Sequence, residues 1–165
     1  MPLSGTIAWS VVGVAALFLK PFAISMTLFA CVGAIAYLGM FLSKFTGENF
    51  LDKTRPRNEF DRLFFSAVAQ ALLVFAIAIP FFNHDYTSLP LSVGILTGLM
   101  WFPVSWIIGH WIGIFHAVAR TALVLAVWLA FPESRFLAVP IVIVAIYAVT
   151  IVVLEARWRA FQSAG

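Results

Sequence analysis

The sequence predicts an all-α protein, a polytopic transmembrane helix bundle of about six spans that forms a single integral membrane domain over residues 1–165. Hydrophobic residues make up 63% of the chain and charged residues only 10%. The mean hydropathy is +1.04, which lies outside the usual range of soluble domains. The apolar residues also form runs of about 20 residues, the length that a helix needs to cross the hydrocarbon layer.

The apolar runs place six helices, near residues 4–20, 22–43, 63–82, 90–108, 113–131 and 136–155. The first run is short and ends at Lys20-Pro21, because proline interrupts a helix. A re-entrant first segment is the alternative. The fourth and fifth helices require a turn between them, since one helix from Pro90 to Phe131 would rise about 60 Å, twice the hydrocarbon thickness.

Basic residues predict the orientation. The long polar connection, residues 44–62, is expected to be a cytoplasmic loop, since loops rich in Lys and Arg stay on that side. Both termini fall on the same side because the number of spans is even. Lys20 and Arg135 are expected on the opposite side. The cytoplasmic basic residues are Lys44, Lys53, Arg55, Arg57, Arg62, Arg157 and Arg159.

Arg120 lies inside the fifth predicted span, where a charged side chain costs roughly 3 kcal/mol or more and faces a protein interior, a wet cavity or a ligand. His116 lies four residues earlier, so the two side chains share one helical face. A guanidinium binds carboxylate or phosphate well, and histidine adds a donor or a titratable proton. We therefore predict a site for an anionic group. Alternatively, Arg120 binds backbone carbonyls or pairs with Glu155 and only holds the bundle together.

Neighbouring residues are predicted to complete this site. Trp101, Phe102 and Trp106 provide aromatic surface for the apolar part of an amphipathic ligand, although tryptophan also favours the membrane interface for its own sake. Ser105 and Gln70 are uncharged polar groups inside apolar helices. They are expected to hydrogen-bond across helices or to reach the same cavity.

Gly94 and Gly98 form a small-xxx-small pair in the fourth predicted span. Such a pair lets another helix approach closely. We take it as a packing signal that also allows a homo-oligomer to form through this face.

No motif in the sequence indicates catalysis, a metal site or a cofactor. All seven acidic residues lie in predicted loops or at span ends, and neither HExxH nor GxSxG occurs. His110 and His116 are six residues apart across two glycines, which is not a metal-binding pattern. The lone Cys31 excludes an intrachain disulfide. The pI of about 9.4 is explained by membrane topology rather than by nucleic-acid binding.

The run GLMWFPVSWIIGHW, the following HAVARTALVL, and the early SGTIAW with the segment Gly39 to Ser43 resemble a group of small uncharacterised bacterial multi-span proteins. The resemblance covers most of the chain. It implies a protein of the bacterial inner membrane, and it supplies no activity and no functional residues.

Three functions stay open at this point. The first is binding or translocation of a small amphipathic or anionic ligand, with the lipid bilayer as the surrounding partner. The second is a structural or accessory membrane subunit without a ligand site. The third is a lipid-modifying enzyme with His116 as a base, which would need a second titratable group within hydrogen-bond reach of that ring.

Overall fold

The computed structural model describes residues 2–46 and 59–163, and within these ranges the chain is helical apart from short turns, with no β-strand. The all-α prediction is confirmed. The middle of the predicted cytoplasmic loop, with Lys53, Arg55 and Arg57, lies outside the described residues. The helices are α1 (Pro2–Ala15), α2 (Pro21–Thr46), α3 (Glu59–His84), α4 (Leu89–Gly98), α5 (Trp101–Ile108), α6 (Ile112–Ala130) and α7 (Arg135–Ser163).

Three helical stretches among the described residues are long and apolar enough to cross a membrane. They are Tyr86–Ile108, Ile112–Ala130 and Pro132–Ser163. Pro2–Ala15, Pro21–Ile35 and Leu72–His84 are shorter apolar helices. A helix as short as α1 rises about 21 Å, less than the hydrocarbon thickness of about 30 Å.

The turn that separates the fourth and fifth predicted spans lies between α5 and α6. Gly109 takes the left-handed conformation, with φ 57°, at the end of α5, and a residue without a Cβ adopts this conformation at little cost. Ser105 Oγ donates to the carbonyl of His110 at 2.5 Å. The Ile112 N–H at the start of α6 donates to His110 Nδ1 at 3.2 Å. His110 is therefore used to close this turn.

Helix α7 packs between α1 and α6, and α4 packs against both α6 and α3. The short α5 lies on α6. The core between α4, α6 and α7 contains Val93, Val124, Val139 and Ile143, all of which are fully buried. Helices α1, α4, α5, α6 and α7 contribute the residues of the site described below, while α2 and α3 flank them.

The surface is apolar and part of the interior is polar. Phe18, Leu73 and Val152 are between 67% and 80% exposed, whereas Arg120 and His116 are at 0%. In a water-soluble domain charged residues are almost never fully buried unless they are paired, and large apolar patches are rarely exposed. This distribution and the three long apolar helices suggest association with a membrane.

Candidate functional site

Arg120 lies near the middle of α6, and its side chain is fully buried. Its Nε donates to the carbonyl oxygen of Gly94 at 2.7 Å, and one terminal nitrogen donates to the hydroxyl of Thr97 at 2.9 Å. The other terminal nitrogen donates to the hydroxyl of Tyr147 at 3.2 Å. Gly94 and Thr97 belong to α4 and Tyr147 belongs to α7, so one guanidinium connects three helices.

Two aromatic rings enclose this guanidinium. Arg120 Cζ lies 5.5 Å from the ring centroid of Trp9 and 5.5 Å from that of Tyr147. Both distances are within the range of about 6 Å over which a cation is attracted to an aromatic face. Gly5 makes room for this arrangement, since a Cβ at that position would overlap the Tyr147 hydroxyl. Helix α1 therefore supplies one wall of the site.

Gly94 and Gly98 shape the α4 side of the site. A Cβ at Gly98 would lie 2.8 Å from Arg120 Cδ, so the arginine side chain crosses α4 where only glycine fits. A Cβ at Gly94 would meet Val124 and Ile143 at 3.3 Å. The small-xxx-small pair thus faces α6 and α7 of the same chain. The homo-oligomer stays a prediction, and it would have to use another face.

The three partners of Arg120 are neutral, and within the described residues no carboxylate binds it. Glu155, the acid considered from the sequence, instead lies 3.1 Å from Arg159 at the exposed end of α7. A guanidinium carries five N–H donors, and the three hydrogen bonds use one donor on each nitrogen. One N–H on each terminal nitrogen is left over. The site therefore combines an uncompensated positive charge with unused donors.

His116 lies one turn before Arg120, and its ring is fully buried. Its Nδ1 lies 2.8 Å from the hydroxyl oxygen of Thr150. The Thr150 hydroxyl donates its own hydrogen to the carbonyl of Ile146 at 2.8 Å. Because a hydroxyl has only one proton to donate, we infer that Nδ1 carries the hydrogen. Nε2 then presents a lone pair, and it has no hydrogen-bond partner in the described structure. The residue within reach of His116 is a threonine rather than a second titratable group.

The His116 ring is held by aromatic neighbours on two sides. Trp101 stacks on it with the centroids 4.2 Å apart, and Tyr147 meets it edge-on at 4.7 Å. Arg120, His116 and Trp101, three of the predicted site residues, therefore lie in one buried cluster. We call this group, with Trp9, Thr97, Tyr147 and Thr150, the arginine cluster.

The other predicted site residues lie elsewhere. Trp106 is 79% exposed and Phe102 is 43% exposed, so neither belongs to the arginine cluster. Ser105 is buried, but its hydroxyl binds the α5–α6 turn. Gln70 lines a surface groove together with Trp106. The predicted single site is thus divided between an interior cluster and a surface groove.

Four members of the arginine cluster were not predicted from the sequence: Trp9, Thr97, Tyr147 and Thr150. Tyr147 and Thr150 are three residues apart in the strongly apolar α7, so they share a helical face. That spacing is a signal comparable to the one that singled out His116. Across the described residues, no group of three His, Cys, Asp or Glu side chains is placed to hold a metal ion.

A second arginine, Arg135, is the first residue of α7 and contacts the C-terminal end of α6. The Arg135 guanidinium lies 3.7 Å from the ring centroid of Trp128, and it donates to the Trp128 carbonyl at 3.1 Å and to the Thr87 hydroxyl at 2.8 Å. Thr87 in turn donates to the Asp85 carboxylate at 2.8 Å. Arg135 is only partly buried. We call these four residues the loop cluster.

The fold and the site define an all-helical bundle with membrane-length apolar helices and a buried arginine cluster at its centre. Residues 1–157 match the model of DUF7010, a family of unknown function, and the chain belongs to that family. This agrees with the resemblance to uncharacterised proteins. The comparisons with curated proteins and with solved structures give no match.

Proposed function

We propose that the chain is a multi-pass protein of the bacterial inner membrane with six spans. Both termini and residues 44–62 lie on the cytoplasmic side in this proposal. The three membrane-length helices and the apolar outer surface support it. The excess of Lys and Arg in residues 44–62 and in the C-terminal tail supports the orientation.

Within this bundle, the arginine cluster binds the anionic group of a small ligand, and translocation of that ligand is the wider form of the proposal. The observation that carries it is the full burial of Arg120 among neutral partners. A buried charge is ordinarily paired, because removing it from water is expensive. An anion at Arg120 supplies the missing countercharge.

The remaining donors favour a carboxylate. Arg120 has one N–H on each terminal nitrogen outside these three hydrogen bonds, and carboxylate oxygens accept well from guanidinium N–H groups. Trp9 and Tyr147 offer apolar ring surface beside the charge, which suits a short amphipathic acid. His116 Nε2, whose lone pair has no partner, accepts a hydrogen bond from a hydroxyl on such a ligand.

A structural role is the second candidate, and one observation favours it. The hydrogen bonds of Arg120 connect α6 to α4 and to α7, so the side chain has the geometry of a lock between helices. In that case the three neutral oxygens and two rings are the complete surroundings of the guanidinium. The two candidates differ in what an anion does to the folded protein.

The test is the thermal unfolding of the purified protein in a mild detergent, with sodium butyrate, phosphate or gluconate at equal ionic strength. A ligand that binds only the folded state at 100 times its Kd stabilises that state by about 2.7 kcal/mol. We expect the Tm to be higher in butyrate than in the bulkier gluconate, both for the wild type and for Arg135→Gln. We expect no such rise in Arg120→Gln.

If the wild type unfolds at the same temperature in all three salts, the anion site is refuted and the lock is favoured. A butyrate effect that survives in a folded Arg120→Gln would also refute it, because the anion would then bind elsewhere.

A further inference from the structure

A groove of about 370 Å³ lies on the outer surface between α3 and α5. Its α3 wall contains Arg62, Ser66 and Gln70. These residues are four apart, so they form one polar stripe along a single face of the helix. Its α5 wall is apolar and includes Pro103 together with Met100, the residue that precedes α5. We call it the α3–α5 groove, and its two walls differ sharply in polarity.

The polar stripe has unused hydrogen-bonding groups. Within the described chain, the Arg62 guanidinium forms no ion pair and the Gln70 amide forms no hydrogen bond, whereas Ser66 donates to the Arg62 carbonyl at 2.8 Å. The stripe extends about 12 Å along the helix axis from Arg62 to Gln70. An amide so far along an apolar helix needs a polar partner, because the hydrocarbon layer offers none.

The mouth of the groove carries both signs of charge. Glu59 lines the groove one turn before Arg62, at the first residue of α3. A carboxylate beside a guanidinium complements a headgroup that contains an ammonium and a phosphate. A primary ammonium also donates hydrogen bonds to a carboxylate, which a trimethylammonium group cannot do.

The groove opens at the level where lipid headgroups are expected. Trp106 lines it near the end of α5 and is 79% exposed. Exposed tryptophans of membrane proteins are enriched at the interface between headgroups and hydrocarbon. With the mouth at that level, the apolar α5 wall faces acyl chains, and Gln70 lies about 12 Å deeper than Arg62 along the helix axis.

We propose that the α3–α5 groove binds one zwitterionic phospholipid whose headgroup ends in a primary ammonium. The phosphate binds Arg62, the ammonium binds Glu59, an ester carbonyl accepts from the Gln70 amide, and an acyl chain lies along Met100 and Pro103. This site is separate from the arginine cluster. Loss of anion binding at Arg120 would leave it intact.

The experiment is native mass spectrometry of the full chain, released from nanodiscs that contain equal amounts of phosphatidylethanolamine, phosphatidylcholine and phosphatidylglycerol with identical acyl chains. We expect one tightly retained phosphatidylethanolamine. Since hydrogen bonds to charged groups contribute strongly, Arg62→Gln should lower that retained fraction by about tenfold. Glu59→Gln removes the negative charge at the mouth and should shift the preference toward phosphatidylglycerol.

Glu155→Gln and Arg159→Gln are matched controls, because they change exposed charges on the tail of α7 and should leave the retained lipid unchanged. Retention of phosphatidylcholine equal to that of phosphatidylethanolamine would overturn the role of Glu59. Preference of the wild type for phosphatidylglycerol, or no retained lipid, would overturn the proposal. Unchanged retention in Arg62→Gln would do the same, since the lipid would then lie elsewhere.

Discussion

The arginine cluster and the loop cluster use similar contacts at two depths of the same bundle. Arg120 and Arg135 each bind one backbone carbonyl and a threonine hydroxyl, and each lies near a tryptophan ring. They differ in what surrounds these contacts. Arg135 is partly exposed at a loop, and the Asp85 carboxylate binds the same threonine that Arg135 binds. Arg120 is at 0% exposure among neutral groups.

The two arginines differ in whether their charge is offset by their surroundings. At the loop, solvent and a nearby carboxylate offset the charge, so a structural role accounts for Arg135. At the centre of α6, neither is found among the described residues. A purely structural cross-link there would be achieved at less cost by uncharged polar groups. This difference is the reason that we propose a bound anion at Arg120 rather than a purely structural role.

The largest expected effect is that of Arg120→Met. Methionine fills similar volume without a buried charge, and Thr97 keeps its own hydrogen bond to the Val93 carbonyl. We expect the free energy of unfolding to rise by about 1–3 kcal/mol while the response to butyrate disappears. Denaturant titration in detergent measures the change. A decrease of similar size would show that Arg120 acts as a lock.

Gly98→Ala should destabilise the protein by about 2 kcal/mol, because the added Cβ would lie 2.8 Å from Arg120 Cδ. Gly33→Ala is the control, since a Cβ there meets nothing within 4 Å. In an Arg120→Ala background the cost of Gly98→Ala should disappear. If Gly98→Ala still lowers the stability in that double variant, the added Cβ clashes with another residue, and the close contact of Arg120 with α4 is contradicted.

Thr150→Val should cost about 1–2 kcal/mol, because it leaves the His116 Nδ1–H buried without an acceptor. Thr121→Val is matched to it, since the Thr121 hydroxyl also binds its own helix, at the Ala117 carbonyl. We expect the control to change stability by only a few tenths of a kcal/mol. Equal effects of the two variants in thermal unfolding would contradict the assignment of the Nδ1 hydrogen.

Arg135→Met should have the smallest effect, a loss of about 1 kcal/mol, because partial exposure weakens the interactions that are removed. The butyrate response should stay unchanged. The free energies of unfolding of Arg135→Met and Arg120→Met, measured under the same conditions, compare the two clusters directly. Stability changes of the same sign and size in both would remove the distinction between them.

The sequence predicted the helical class because long apolar runs have few alternatives. It also predicted Arg120 and His116 as site residues, since residues four apart on a helix share a face. The partners Tyr147 and Trp9 come from helices that are distant in the sequence. A helix that is apolar on all sides has no sequence pattern that indicates which face packs against a neighbour. Trp101 and Trp106 were grouped in one site, but five residues turn a helix by about 140° beyond a full circle, so only Trp101 faces inward.

The central claim is that the Arg120 guanidinium binds an anion. It is tested most directly by nuclear magnetic resonance of the detergent-solubilised protein with ¹⁵N-labelled arginine side chains. The Arg120 signals are assigned by their loss in Arg120→Met. We expect titration with butyrate to shift the signals of the Arg120 terminal nitrogens to saturation and to leave those of Arg135 in place. Arg120 signals that do not move up to a large excess of butyrate would contradict it.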